Sequence, residues 1–312
     1  MNKQDLRILF MGTPEISKNT LEDLIQDGFN ICGVVAQKDK PVGRKNIIEK
    51  VPTKLVAEKY SIPIFQPEKI RKDYKFIEEL KPDLILTLAY GQIVPEAVLK
   101  IPRFGALNLH GSILPKYRGA SPVQAALINN DKVTGVSLME MTKEMDAGKV
   151  YAIKEVNIDE NDNASSLFLK IQVAASELAK EKIMDYIDGK LVGVEQDINK
   201  VSFCSLIRKE QEKLDLNFPK ELIIGWIKAL SDEPGAYLYL DDVKIKIYKA
   251  EIVNDEKKGQ IGEIISSDKN GLIIQTINGL ISLLEVQKEG KKRMDYKSFI
   301  NGNQNLKGKL LK

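Results

Sequence analysis

Along the first part of the chain, apolar and polar positions switch repeatedly between strand-like runs and helical spacing. Leu6 to Phe10 is a short apolar run ending in Gly12-Thr13-Pro14, followed by Ile16, Leu21, Leu24 and Ile25 on one helical side, with Gly28 as the stop. Ile31 to Ala36 reads as a second strand. Ile70, Tyr74, Ile77 and Leu80 keep helical spacing up to Pro82, and Leu84 to Leu88 is an apolar run broken only by Thr87, as in a strand covered on both faces. Ala106 to His110, Val136 to Met141 and Val150 to Val156 add strands. Ser121-Pro122 opens a helix with a cap residue and a first-turn proline, and Leu167, Ile171, Ala174 and Leu178 mark a long closing helix. This alternation predicts an α/β domain over residues 1–188, built on an open, mostly parallel, Rossmann-like sheet.

After Gly189 the pattern changes. Residues 189–206 show no sustained period and read as a linker. Leu222, Ile223, Trp226, Ile227 and Leu230 then form an amphipathic helical stripe. Short strands follow at Ala236 to Leu240, Val243 to Tyr248, Ile261 to Ile265, Leu272 to Thr276 and Leu280 to Val286. Asp241-Asp242, Asn270-Gly271 and Asn278-Gly279 are their turns. Closely spaced strands of this kind predict a small OB-like β-barrel domain over residues 207–312.

Composition narrows the chemistry. With 312 residues there is chain enough for two domains. No apolar run approaches the roughly 20 residues of a spanning helix, and the stretch at Leu6 to Met11 is too short for a signal peptide. Cys32 and Cys204 are far apart, which gives no disulfide framework and suits a reducing cytoplasm. There is a single histidine, His110. One histidine and two scattered cysteines make a poor zinc site, so no metal is expected.

The net charge of +3 hides an asymmetry. Basic and acidic side chains balance over residues 1–206, so the surplus lies in residues 207–312. Within that part, Lys288, Lys291, Lys292, Arg293, Lys297, Lys307, Lys309 and Lys312 face only Glu289 and Asp295. A second basic cluster runs from Lys38 through Lys40, Arg44 and Lys45 to Lys50. Each can be a solvated surface; together, in different domains, they suit a large polyanion that contacts both.

Several common motifs are missing. Proline follows Gly12-Thr13 where a dinucleotide fingerprint needs glycine, and neither GxxxxGK[ST] nor GxSxG occurs. The informative segment is Asn108-Leu109-His110-Gly111-Ser112-Ile113-Leu114-Pro115-Lys116-Tyr117-Arg118-Gly119. On a strand, Asn108 and His110 project to the same side, near the C-terminal end where open α/β sheets place ligands. A lone histidine is more often a packed, hydrogen-bonded ring than a catalyst. Here an amide, an imidazole and a glycine turn converge within four residues.

This segment resembles the signature of the 10-formyltetrahydrofolate-dependent formyltransferases. So does Gly135-Val136-Ser137 followed by Met145-Asp146-Ala147-Gly148. The resemblance extends through Ile8 to Pro14, the loop Asp39 to Arg44, Ala89-Tyr90-Gly91 with Ile93-Val94-Pro95, Pro234 to Tyr237 and Gly290 to Met294. The basic loop and the C-terminal element are similar to the branch that acts on methionyl-tRNA.

The resemblance implies formyl transfer from 10-formyltetrahydrofolate to the α-amino group of the methionine on initiator methionyl-tRNA. It gives Asn108, His110 and Asp146 catalytic roles. The folate would lie against Ala89, Tyr90, Gly91, Ile93, Ser112, Ile113, Leu114 and Pro115, and tRNA would meet Lys40, Arg44, Lys45, Lys291, Lys292 and Arg293. A cytoplasmic monomer without membrane contact is expected; the alternative is a formyltransferase acting on an amino sugar or purine precursor. The chain departs from the family after Arg44, where Lys45-Asn46-Ile47 is less basic than usual. Leu206 and Leu216 also replace the usual lysine and tryptophan near the domain junction.

Overall fold

The computed structural model describes residues 1–42 and 47–312. They form two compact units, one holding Met1–Pro122, Val133–Asn157 and Phe168–Cys204, the other Val123–Lys132, Ile158–Leu167 and Ser205–Lys312.

In chain order the first part runs β1 (Arg7–Gly12), α1 (Glu15–Gln26), β2 (Asn30–Val35), β3 (Lys40–Val42), β4 (Ile47–Glu49), α2 (Pro52–Lys59), β5 (Ile64–Phe65), α3 (Lys75–Leu80), β6 (Leu84–Leu88), α4 (Glu96–Leu99) and β7 (Ala106–His110). It continues with β8 (Arg118–Gly119), α5 (Pro122–Ile128), β9 (Val133–Glu140), β10 (Val150–Asn157), α6 (Ala164–Ile187) and β11 (Phe203–Cys204). Seven strands form one sheet in the order β10-β9-β7-β6-β1-β2-β5. The strands from β5 to β7 are parallel, whereas β9 and β10 run antiparallel at one edge. The order reverses between β1 and β6, and such a switch point opens a crevice at the strands' C-terminal ends. β6 is buried at every position, which accounts for its nearly unbroken apolar run.

Residues 70–74 lie outside α3 although their spacing is helical. The Ile70 N–H donates to Oε1 of Gln92 at 2.9 Å, so a side chain replaces a helical partner there. Ile70 and Ile77 still enter the same core, with Leu9, Met11 and Ile85.

Residues 190–204 lack any periodic pattern, yet they belong to the first unit. Val194 and Val150 exchange backbone hydrogen bonds of 2.9 Å, and β11 pairs with β8 in parallel. The ordering comes from main-chain pairing and individual polar side chains, which leave no hydrophobic period to read.

The second unit adds α7 (Lys220–Leu230), β12 (Ala236–Leu240), β13 (Val243–Asn254), β14 (Ile264–Asp268), β15 (Gly271–Thr276), β16 (Gly279–Lys288), β17 (Met294–Asp295) and α8 (Tyr296–Asn301). Its antiparallel sheet runs β12-β13-β16-β15-β14. The C-terminal segment closes it into a barrel, since Leu311 bridges to Leu240 on one edge strand and Leu310 to Glu263 beside the other. Alternate residues of β12 and β13, among them Leu238, Ile245 and Ile247, fill the interior with Ile223 and Ile227 of α7. Leu216 also lies in this core, whereas Leu206 is exposed. On the same unit, Gly225 of α7 lies close to the backbone of Ile128; a β-carbon there would stand 2.4 Å from the Ile128 carbonyl oxygen.

Candidate active site

Asn108 and His110 stand on β7, with Leu107 and Leu109 packed on the opposite side. His110 is 5 % exposed. Its Nε2–H donates to the carbonyl of Tyr117 at 2.9 Å, because that oxygen can only accept. Tyr117 takes a left-handed φ of 59° at the end of the turn that follows the strand. With Nε2 committed, Nδ1 is the ring atom available for proton exchange, and it lies 3.7 Å from Oδ2 of Asp146.

Asp146 lies on the loop between β9 and β10 with φ at 50°. Its Oδ2 accepts the Gly119 N–H at 2.8 Å. Gly119 has φ 121°, and a β-carbon there would lie 2.1 Å from the carbonyl oxygen of Cys204 on β11, so only glycine lets the strands meet. The thiol of Cys204 also reaches the Tyr117 carbonyl, at 3.4 Å, and burial pushes that thiol up.

Asn108 is half-buried. The hydroxyl of Thr87, on the neighbouring β6, lies 2.9 Å from its Oδ1. The same hydroxyl carries one hydrogen and also lies 3.0 Å from the Leu107 carbonyl, so Asn108 keeps at least one Nδ2 hydrogen as a donor toward a ligand. Thr87 interrupts the apolar run of β6, and that interruption was its signal in the sequence. Amide donors and a carboxylate-backed imidazole at the end of one strand can stabilise an oxyanion and carry a proton.

The turn after His110 is held from below. Ser137 on β9 donates its hydroxyl to the Ser112 carbonyl at 2.7 Å and accepts the Leu114 N–H at 3.1 Å. The Ser112 hydroxyl donates to the Lys116 carbonyl at 2.6 Å. These groups are committed to the protein, which fixes the turn's shape. Ser112 and Leu114 are buried, and Ile113 and Pro115 are half-buried.

The loop after β6 lies at the switch point. Ala89 and Gly91 take positive φ of 50° and 89° and are exposed, as is Ile93. The Tyr90 carbonyl accepts from Thr13 Oγ1 at 3.0 Å and from Gln37 Nε2 at 3.1 Å. The Tyr90 ring points into the core, and its buried hydroxyl has no hydrogen-bond partner among the described residues.

The basic residues differ in how free they are. Lys40 opens β3 and is exposed; Arg44 and Lys45 lie outside the described residues. Lys291 and Lys292 are exposed. Arg293 is engaged within its own unit: it pairs with Asp232 and with Glu285 and lies 4.2 Å from the centre of the Tyr248 ring. The feature that spacing could not reveal is Gln196. It donates to the Asp146 and Gly148 carbonyls at 2.9 and 2.8 Å and accepts from Arg118 at 3.0 and 2.9 Å. Among the described residues no group of three or more His, Cys, Asp or Glu side chains is placed to hold a metal.

An amide, an imidazole and a carboxylate at a switch-point sheet suit transfer of an acyl-type group to an amine, and the family pattern agrees. The formyl transferase pattern matches residues 6–183, and the formyl transferase C-terminal domain matches residues 206–304. The chain belongs to the formyl transferase family. Within it, the chain is 42% identical to the methionyl-tRNA formyltransferase of Lactobacillus acidophilus, over 95% of both chains. It is 40% identical to that of Staphylococcus aureus, over 98% of this chain and 99% of the relative. In fold it is similar to an N-formyltransferase from Helicobacter canadensis solved with folinic acid and dTDP-3-aminofucose. The TM-score is 0.66 at 21% identity, covering 91% of this chain and 99% of that one. It is also similar to the methionyl-tRNA formyltransferase from Clostridium thermocellum, with a TM-score of 0.57 at 16% identity, covering 80% and 95%.

Proposed function

We propose that the protein transfers the formyl group of 10-formyltetrahydrofolate to the α-amino group of methionyl initiator tRNA, giving N-formylmethionyl-tRNA. The observation that carries this reading is the 40–42% identity to proteins of that name along the whole chain, through the C-terminal barrel as well as the sheet domain. The amino nitrogen attacks the formyl carbon, and the carbonyl oxygen becomes an oxyanion that the Asn108 amide meets as a donor. Nδ1 of His110 takes the amine proton, because Nε2–H is held by Tyr117. The Asp146 carboxylate stabilises the resulting imidazolium. The proton then passes to N10 of the folate as the C–N10 bond breaks.

The turn at Ser112 to Pro115 and the loop from Ala89 to Ile93 supply the folate side; their position at the C-terminal ends of the central strands supports this assignment. The exposed Lys40, Lys291 and Lys292, with Arg44 and Lys45, supply phosphate contacts, while Arg293 serves the barrel. We assign transfer chemistry to residues 1–188 and RNA binding to 207–312, with 189–206 joining them and its residues up to Cys204 supporting the site. We read the protein as a cytoplasmic monomer. No helix among the described residues is long and apolar enough to cross a membrane.

Incubation with 10-formyltetrahydrofolate and methionyl initiator tRNA tests the reading, with elongator tRNA and a nucleotide-linked amino sugar as competing acceptors. Formyl-methionine on the initiator alone is the expected product. Formylation of the amino sugar in its place overturns the tRNA assignment.

A further inference from the structure

Gln196 lies in the aperiodic stretch between the long helix α6 and β11, and its side chain is fully used. Both amide hydrogens go to main-chain carbonyls of the loop that carries Asp146, at 2.9 Å to Asp146 itself and 2.8 Å to Gly148. Oε1 accepts from Nε and Nη2 of Arg118, at 3.0 and 2.9 Å. The amide can stand only one way round. Reversed, its oxygen would face two carbonyl oxygens and its NH2 would face a guanidinium. The side chain therefore joins two segments of the site: the Asp146 loop, and the strand that follows the His110 turn.

Both segments need such a tie. Asp146 holds a left-handed φ of 50°, a conformation that persists in a non-glycine residue only where neighbours over-determine it. Its carboxylate accepts the N–H of Gly119, the residue next to Arg118. The position of Gln196 is itself fixed, because Val194 two residues earlier pairs in both directions with Val150, at the root of β10. Loop, strand and side chain thus close a ring around the 3.7 Å separation between Asp146 and His110.

We propose that Gln196 is a positioning residue for formyl transfer, acting through Asp146 and braced by Arg118. The proposal rests on the functional reading above. Gln196 touches neither substrate nor the reacting atoms; it holds the main chain of the Asp146 loop so that the carboxylate stays against Nδ1 of His110. A residue of this kind governs the chemical step more than substrate binding, and a misplacement of about 1 Å at the reacting groups can cost on the order of 100-fold.

The test measures kcat and KM for both substrates in the full-length wild type, Gln196→Ala, Gln196→Glu, Asp146→Asn and the double variant Gln196→Ala/Asp146→Asn. Gln196→Glu keeps the length and the acceptor for Arg118 but removes both donors to the loop. The expected result is a fall in kcat of about 10- to 100-fold for Gln196→Ala and Gln196→Glu alike, with each KM within about twofold. In the Asp146→Asn background, Gln196→Ala should cost less than about twofold more, since a residue acting through Asp146 has nothing left to position. A Gln196→Glu enzyme with the wild-type rate overturns the proposal, and so do full additivity in the double variant or a change confined to KM. If Gln196→Ala does not fold, Gln196→Glu decides alone by the same criterion. An inactive wild type sinks the functional reading, whereas an active wild type with an undisturbed Gln196→Glu sinks only the positioning role.

Discussion

Nδ1 of His110 stands 3.7 Å from Oδ2 of Asp146, while Nε2 of the same ring is held by the Tyr117 carbonyl. One nitrogen fixes the ring and the other is left for chemistry. Asp146→Asn would keep an oxygen able to accept the Gly119 N–H, so the loop should hold its shape. An amide gives no charge to stabilise an imidazolium. We expect kcat to fall by about 100-fold, at the lower end of what general acid–base assistance contributes, with melting temperature nearly unchanged. Single-turnover formylation with saturating substrates measures the chemical step directly; an unaltered rate there would remove Asp146 from the relay.

His110→Ala should cost more, about 100- to 10,000-fold in kcat, because it removes the proton carrier itself. The affinity for methionyl-tRNA should change little, since a ring only 5 % exposed offers almost no binding surface. Filter binding beside turnover assays separates the two effects. A variant with near-normal turnover would leave the reaction without its assigned base.

Much of the site was legible because residue type and period coincide there. Asn108 and His110 share a face by strand alternation, and the glycine turn behind them follows from local sequence. The parallel sheet could be read from strands and helices in alternation, and the barrel from turn residues at close spacing. The partners that complete the site come from distant segments through polar contacts. Gln196 lies 50 positions from Asp146, and Ser202 accepts the Tyr117 N–H across 85. Neither lies in a hydrophobic period, so nothing in the local pattern separates them from a linker. Arg293 shows the opposite case: it sits in a basic run, and its engagement with Asp232, Glu285 and Tyr248 is not visible in that run.

Tyr90 is 4 % exposed, and its hydroxyl has no hydrogen-bond partner among the described residues. Burial pushes that hydroxyl's pKa up, so it stays neutral. Removing an unsatisfied buried polar atom relieves its desolvation cost. Tyr90→Phe should therefore stabilise the fold by on the order of 1 kcal/mol and leave KM for the folate within about twofold. Urea denaturation and steady-state kinetics provide the check. A loss of stability would mean that the hydroxyl has a partner in solution, and a raised folate KM would place that partner on the ligand.

Asp39, at the foot of the β3–β4 hairpin, gives a pH-dependent prediction. Burial acts to raise its pKa, but Lys54 Nζ at 2.6 Å, the Gln66 amide at 2.9 Å and the Val51 N–H at 3.1 Å outweigh it and hold the carboxylate below its usual range. A depressed folded pKa means that the unfolded chain takes up the proton first. The stabilisation is then complete above about pH 4 and is lost as pH falls through the folded value. Wild type should melt above Asp39→Asn at pH 7, and the gap should close below about pH 4. A gap that persists or widens in acid would contradict the sign.

The basic residues of the barrel should separate into two kinds. Arg293 is engaged with Asp232, Glu285 and the Tyr248 ring, so its loss falls on the fold. Partly exposed ion pairs are each worth less than about 1 kcal/mol, and a guanidinium over a half-buried ring such as Tyr248 adds a comparable amount. Arg293→Ala should therefore destabilise the protein by about 1 kcal/mol and change the salt dependence of tRNA binding little. Lys291 and Lys292 are exposed. Their joint replacement by alanine should leave melting unchanged, raise KM for methionyl-tRNA and flatten the plot of log affinity against log salt by about one unit for each phosphate no longer neutralised. Titrations at several salt concentrations, paired with melting curves, distinguish the two. If Arg293→Ala flattens the salt slope and the lysine pair does not, the assignment of phosphate-binding residues must be exchanged.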